Sequence, residues 1–226
     1  MLEVSNVSKS FGKHQVFQDV SFSVNSGEII GLVGENGAGK STLLKILATI
    51  DHPDSGSINL NDKKYVKDTK AIRKNLGYVP QDIAVWDYFT VKENMLFFEK
   101  LGWIKKSKSA LQQLCLDLKL DKWEEKVNTL SGGMKRKLNL AISLIQEPAL
   151  LLLDEPTVGI DLKSKKEIGN YLKNLAQNKQ TTIIYISHDM DEINHLCDWV
   201  LCIGKDPFYE DILRKNGKTT IPLQTN

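Results

Sequence analysis

The segment Glu28–Thr42 (EIIGLVGENGAGKST) limits the fold of this chain more than any other. Its first half, through Val33, is a continuous apolar run without polar alternation. That pattern belongs to a strand covered on both faces, the usual situation in a parallel sheet. A turn rich in glycine follows. Leu43, Leu44, Ile46 and Leu47 then recur at helical spacing. A buried strand that turns sharply into a helix opens a βαβ unit, so the chain reads as α/β. Its 226 residues suffice for one large domain, or a domain with an insertion.

The rest of the sequence agrees. Leu2, Val4 and Val7, with Phe17, Val20, Phe22 and Val24, predict two strands of a half-buried antiparallel sheet. Ser57–Leu60 and Leu76–Val79 read as further strands. From Asp82 to Lys126 the strand signal fades, and Val91–Leu101 and Ser107–Leu118 read as helices. This stretch is an expected helical insertion. Strands resume at Leu150–Asp154, Thr182–Ser187 and Trp199–Ile203. Gly217–Asn226 reads as a loose tail. The expected division is 1–81 and 136–216 for the α/β core with its β subdomain, 82–135 for a helical subdomain, and 217–226 for the tail.

Composition excludes several classes. The net charge of +2 is too small to argue for nucleic acid or an anionic membrane as partner. The lysine runs at 63–74 and 105–108 read as solvated faces. Three scattered cysteines, Cys115, Cys197 and Cys202, form no disulfide framework and point to a reducing cytosol. His195 beside Cys197 and Cys202 matches no zinc spacing. No signal peptide is expected, since Leu2-Glu3-Val4 already reads as structured, and no apolar run approaches the ~20 residues needed to span a bilayer. Work at a membrane would require a partner.

Gly34, Glu35, Asn36, Gly37, Ala38, Gly39, Lys40, Ser41 and Thr42 fit G-x-x-x-x-G-K-[ST], the Walker A pattern, between a strand and a helix. Such a loop captures phosphate with backbone N–H groups, helped by the helix dipole. Lys40 is expected on the β- and γ-phosphates, and the Ser41 hydroxyl on Mg²⁺. Leu150–Leu153 followed by Asp154 and Glu155 is a Walker B pattern. The apolar strand presents Asp154 at its carboxyl end, where it serves Mg²⁺ through a coordinated water. Glu155 is placed to polarise an attacking water.

Between these motifs stands Leu130-Ser131-Gly132-Gly133-Met134. Ser131 precedes Asp154 by 23 positions and opens a helix whose apolar face is Leu138, Ala141, Ile142 and Ile145. With the two Walker patterns, this segment resembles the LSGGQ signature of ABC transporter ATP-binding subunits, with Met134 in place of Gln. The resemblance covers essentially the whole chain. LSGGM followed by Lys135-Arg136-Lys137 is similar to the subgroup that serves ABC-2-type exporters.

The resemblance implies a P-loop (RecA-like) core with an antiparallel β subdomain and an inserted helical subdomain. It implies ATP and Mg²⁺ as cofactors, and a head-to-tail dimer with two composite sites. Ser131, Gly132, Gly133 and Asp161 then face the nucleotide of the partner subunit. Gln81, 41 residues after Lys40, resembles the glutamine that contacts Mg²⁺ and the attacking water. His188, 33 residues after Glu155, resembles the histidine on the γ-phosphate. Phe11 sits where an aromatic residue stacks on adenine, with Val16 alongside. Trp86, Tyr88, Phe89, Phe97 and Phe98 fall where the family receives a coupling helix. An integral membrane permease is the implied partner, with a second ATP-binding subunit, identical or different. The implied location is the cytoplasmic face of the membrane. Rival readings are an importer subunit and a soluble ABC ATPase such as an iron–sulfur assembly ATPase. A two-cassette translation factor would need a second cassette, and a DNA-repair ATPase long coiled-coil arms.

Overall fold

The computed structural model describes residues 1–223. In chain order it contains β1 (Leu2–Phe11), β2 (His14–Val24), β3 (Ile29–Val33), α1 (Lys40–Leu47), β4 (Ser55–Leu60), β5 (Lys63–Lys64), α2 (Thr69–Arg73) and β6 (Leu76–Val79). Next come α3 (Val91–Leu101), α4 (Lys108–Asp117), a 3₁₀ turn (Val127–Thr129), α5 (Gly132–Ser143) and β7 (Leu150–Asp154). The chain continues with α6 (Leu162–Lys179), β8 (Thr182–Ile186), α7 (Met190–Leu196), β9 (Trp199–Ile203), α8 (Phe208–Lys215) and β10 (Thr220–Leu223).

Two sheets form. One is antiparallel in the order β2-β1-β4-β5, and the other is parallel in the order β10-β9-β3-β8-β7-β6. Every residue of β3, β7 and β8 is buried, as the unbroken apolar runs predict. Their side chains alternate between two cores. Ile29, Val33, Leu151, Leu153, Ile183 and Tyr185 point into a core shared with α3 to α7. Ile30, Leu32, Leu150, Leu152, Ile184 and Ile186 point into a second core, shared with α1 and the antiparallel sheet.

The helical segment is tied down by its caps. Thr90 and Glu93 form a reciprocal capping box at the start of α3, and Ser107 caps α4. Met95 of α3 and Leu111 and Cys115 of α4 are fully buried in the same core as Leu138 and Ala141 of α5. Through this core the helices pack onto one face of the parallel sheet.

One expectation needs correction. The segment from Gly217 is not a loose tail as far as Leu223. Thr220–Leu223 pairs in parallel with Val200–Ile203 and forms the sheet edge. The β9 edge holds the segment by this pairing, and Leu223 is buried, as is Leu213 of α8. Residues 224–226 lie outside the described residues.

Candidate functional site

The glycine loop joins the carboxyl end of β3 to α1. Two glycines there are required by close approach. A Cβ on Gly34 would lie 1.9 Å from the Ile203 carbonyl oxygen, and one on Gly39 2.5 Å from Cγ1 of Val16. Both positions also have positive φ, 153° and 98°. Val16 is thus buried against the loop. Gly39 is the N-cap of α1, so no side chain caps the first turn, and that turn carries no acid. Its N–H groups are left for an anion. Lys40 is buried, and its Nζ donates to the carbonyls of Gly34 (2.7 Å) and Glu35 (2.9 Å). Burial lowers its pKa, while the Glu155, Asp154 and Glu35 carboxylates pull it back up.

β7 delivers two acids of different character. Asp154 is buried, and its Oδ1 has no hydrogen-bond partner. Burial raises its pKa; the adjacent Ser41 side chain opposes that, and Glu155 adds to it. An unpartnered buried carboxylate oxygen beside a serine hydroxyl and a phosphate-type loop fits Mg²⁺. That ion takes one or two carboxylates and completes its shell with phosphate and water.

Glu155 turns away from the strand with φ 49°, and its N–H donates to the Ile186 carbonyl (3.1 Å). Its carboxylate is held at both oxygens. Gln81 Nε2 donates to Oε2 (3.1 Å), and His188 Nε2 lies 2.9 Å from Oε1. Three expected residues, separated by up to 107 positions (81 to 188), therefore meet on one carboxylate. Parallel pairing of β6, β7 and β8 produces this, because the carboxyl ends of all three strands lie on the same side of the sheet.

A polar network behind His188 was not expected from the sequence. Glu192 Oε2 accepts from Thr157 (2.8 Å), Ser187 (2.9 Å) and Tyr185 (3.3 Å). Lys165 Nζ bridges Asp189 (2.8 Å) and Glu192 (3.5 Å). The bond to Asp189 is the main reason that the Lys165 pKa is raised, and the bond from Lys165 likewise lowers that of Asp189. Ser187 and Asp189 flank His188, so the network fixes the loop that carries it. The short spacing from Ser187 to Glu192 is a readable signal, but Thr157 and Lys165 reach it only through the fold.

The remaining candidates are dispersed. Ser131 caps α5, accepting from the Met134 N–H (3.3 Å), and Asp161 caps α6, accepting from the Ser164 N–H (2.9 Å). That backbone bond lowers the Asp161 pKa. Among the described residues, neither side chain bonds to the Gly34–Thr42 loop. Space around Gly132 is open, whereas a Cβ on Gly133 would lie 3.3 Å from Ser164 Oγ. Phe11 is 54% exposed, and Lys9 Nζ sits 5.1 Å from its ring centroid.

Trp86, Phe89 and Phe97 form a mutually touching aromatic cluster with centroids 6.1–6.5 Å apart, and all three are exposed. Tyr88 is more exposed still, whereas Phe98 packs partly against the core. No helix among the described residues is long and apolar enough to cross a membrane.

Comparison with known proteins gives a consistent picture. The family model described as ABC transporter matches residues 17–158. The linearmycin resistance ATP-binding protein of Bacillus subtilis is 37% identical over 204 residues, covering 88% of this chain and 64% of that protein. The Nod factor export ATP-binding protein I of Burkholderia lata is 40% identical over 205 residues, covering 89% and 67%. The chain thus spans about two thirds of the length of these relatives. The arginine transport ATP-binding protein of Bacillus subtilis is 33% identical over 219 residues, covering 93% and 90%. A dimeric ATP-binding cassette in a post-hydrolysis state with ADP and Pi has the same fold. Its TM-score is 0.80 at 24% identity, with 90% of this chain and 94% of that chain covered.

Proposed function

The chain belongs to the ABC transporter family, and on that premise we propose that it binds and hydrolyses ATP to power transport through a separate membrane permease. The observation that carries this reading is the Glu155 carboxylate, held by Gln81 and His188 beside the glycine loop.

In this reading Gly34, Asn36, Gly37, Ala38, Gly39, Lys40, Ser41 and Thr42 bind the phosphates. Lys40 exchanges its two carbonyl partners for phosphate oxygens, which are stronger acceptors for a charged donor. Ser41, Gln81 and Asp154 would hold Mg²⁺, Asp154 through a coordinated water, and the bound ion would offset phosphate charge. Glu155 orients and deprotonates the attacking water, while His188 faces the γ-phosphate. Phe11 offers a ring face to adenine, with Val16 beneath the loop. Phosphoryl transfer needs mostly positioning and electrostatics, and this arrangement supplies both.

Ser131, Gly132, Gly133 and Asp161 serve the nucleotide of a second ATP-binding subunit. A helix N-terminus is an anion site, and the open space at Gly132 leaves α5 accessible to one. Charge-assisted hydrogen bonds contribute roughly 1.5–3 kcal/mol each, so two or three would make dimer closure depend on the γ-phosphate. Trp86, Tyr88 and Phe89 form the docking surface for the permease, since exposed clustered aromatics are typical interface anchors. The chain then sits peripherally at the cytoplasmic face of the membrane. Export is supported by Leu130–Met134 and by relatives named for export and resistance. Import is the second reading, favoured by the arginine transport relative.

The test is ATP hydrolysis by the purified chain with Mg²⁺, alongside sedimentation with and without ATP. The expected result is sigmoidal dependence on ATP and an ATP-dependent dimer. A chain that hydrolyses no ATP and stays monomeric at millimolar nucleotide would overturn the reading.

A further inference from the structure

Three consecutive basic residues follow Met134, and each holds a different piece of the molecule. Lys135 Nζ lies 2.6 Å from Asp87 Oδ1. Arg136 Nη1 donates to the Gln81 carbonyl. Lys137, which is buried, pairs with Glu167 of α6. Lys137 is thus an internal anchor between two helices. Lys135 and Arg136 are only half-buried, and both reach the same segment, one at each end: Gln81 to Asp87.

That segment is fixed on its other side as well. Asn94 is fully buried in α3. Its Oδ1 accepts from the Trp86 N–H (2.8 Å), and its Nδ2 donates to the Trp86 carbonyl (3.1 Å). The Asp87 carbonyl accepts from the Asn128 N–H (2.9 Å), and the Phe89 carbonyl from the Val127 N–H (2.9 Å). Residues 127–129 run directly into Ser131. The segment therefore carries Gln81 at one end and the exposed aromatics at the other, and it is bound to the start of α5 by side chain and backbone alike.

We propose that Lys135 and Arg136 strap the Gln81–Asp87 segment to α5, so that Gln81 and the Ser131 end of α5 move as one body. This rests on the two-site reading above. There Gln81 serves the chain's own nucleotide and Ser131 serves the partner's. A strap between them ties the two half-sites together within one chain, and the aromatic surface moves with them. An exposed ion pair such as Lys135–Asp87 adds little to stability. Its effect is therefore on position, and Lys135 and Arg136 are positioning residues that do not touch the reacting atoms.

The experiment uses the full chain with Lys135→Asp, Asp87→Lys, the charge-swapped double variant and Arg136→Ala. Hydrogen exchange is read at the amides of Trp86, Val127 and Asn128, together with ATP affinity and turnover. Each single variant is expected to speed exchange at these amides by about tenfold while leaving α1 and β3 unchanged. Turnover should fall by about fivefold with ATP affinity within about twofold. The double variant should return exchange and turnover to near wild type. Unchanged exchange in the single variants, or a double variant no better than either single, would overturn the strap. A wild-type chain that hydrolyses no ATP would overturn the two-site reading instead. The exchange data would still decide whether the segment is strapped.

Discussion

The Nε2 of His188 lies 2.9 Å from Oε1 of Glu155. With Gln81 on the other oxygen, the carboxylate has a fixed orientation, and the positive φ of Glu155 swings it off the strand axis. Glu155→Gln preserves that shape and removes the charge. Turnover is expected to fall by about a hundredfold or more, the scale of losing a principal electrostatic group. ATP binding should persist, and an ATP-dependent dimer should become long-lived in sedimentation. Turnover within a few-fold of wild type would rule out the proposed role of Glu155 as the base.

Gly34 and Gly132 separate folding from function. Gly34→Ala would press a methyl group into the Ile203 carbonyl at a φ unfavourable to alanine. Overpacking and strain at this positive φ each cost about 1–3 kcal/mol, so this variant should unfold well below wild type or fail to fold. At Gly132 a Cβ meets nothing within 4 Å. Gly132→Ala should keep or slightly raise the melting point, by up to about 1 kcal/mol of stability. If α5 takes the partner's nucleotide as proposed, this variant should nevertheless weaken ATP-dependent dimerisation, because the added methyl group would stand at the open start of that helix. Calorimetric melting and sedimentation with ATP check both halves.

Phe11 is exposed at the end of β1, with a lysine ammonium against its ring. Stacking of a base contributes roughly 1–3 kcal/mol and tolerates any base. Phe11→Ala should weaken ATP binding by the corresponding factor in titration calorimetry with little change in melting point. GTP should be hydrolysed at a rate comparable to ATP. A GTP rate a hundredfold lower would show that the base is read by hydrogen bonds instead.

Much of this molecule was legible in the sequence because its signals are local. The apolar runs at β3, β7 and β8 reflect burial on both faces, and the glycines mark a loop that backbone contact alone requires. Asp154 ends β7, and Glu155, Gln81 and His188 each sit just beyond a strand. A parallel sheet brings such positions together whatever their distance along the chain. The network on Glu192 was only partly legible, since Lys165 joins it through the packing of α6 against α7 and Thr157 from the loop after β7. Strand β10 was not legible. Thr220–Leu223 carries only a weak strand signal, and the edge of β9 supplies the hydrogen bonds that hold it. The reach of Arg136 to Gln81 depends on the course of the backbone after β6, which no periodicity encodes.

Asp154 gives the clearest dependence on pH. Its pKa is raised above the ordinary 3.8, chiefly by burial. Well below 3.8 the carboxyl is protonated in both folded and unfolded chains, and it costs nothing. As pH rises through the window between 3.8 and the raised value, the unfolded chain ionises first, so stability falls. Above that window the penalty is constant. Asp154→Asn removes it and should be more stable than wild type near neutral pH by roughly 1 kcal/mol, or about 2–4 °C for a chain of this size. The gap should widen from pH 4 upward and then level off. Mg²⁺ with ATP should reverse the order, because the ionised wild type gains binding free energy that the variant cannot. Melting curves across pH, with and without MgATP, measure both effects. A gap that narrows as pH rises would show that Asp154 is stabilised by its neighbours Lys40 and Lys45 and is not held in reserve for a cation.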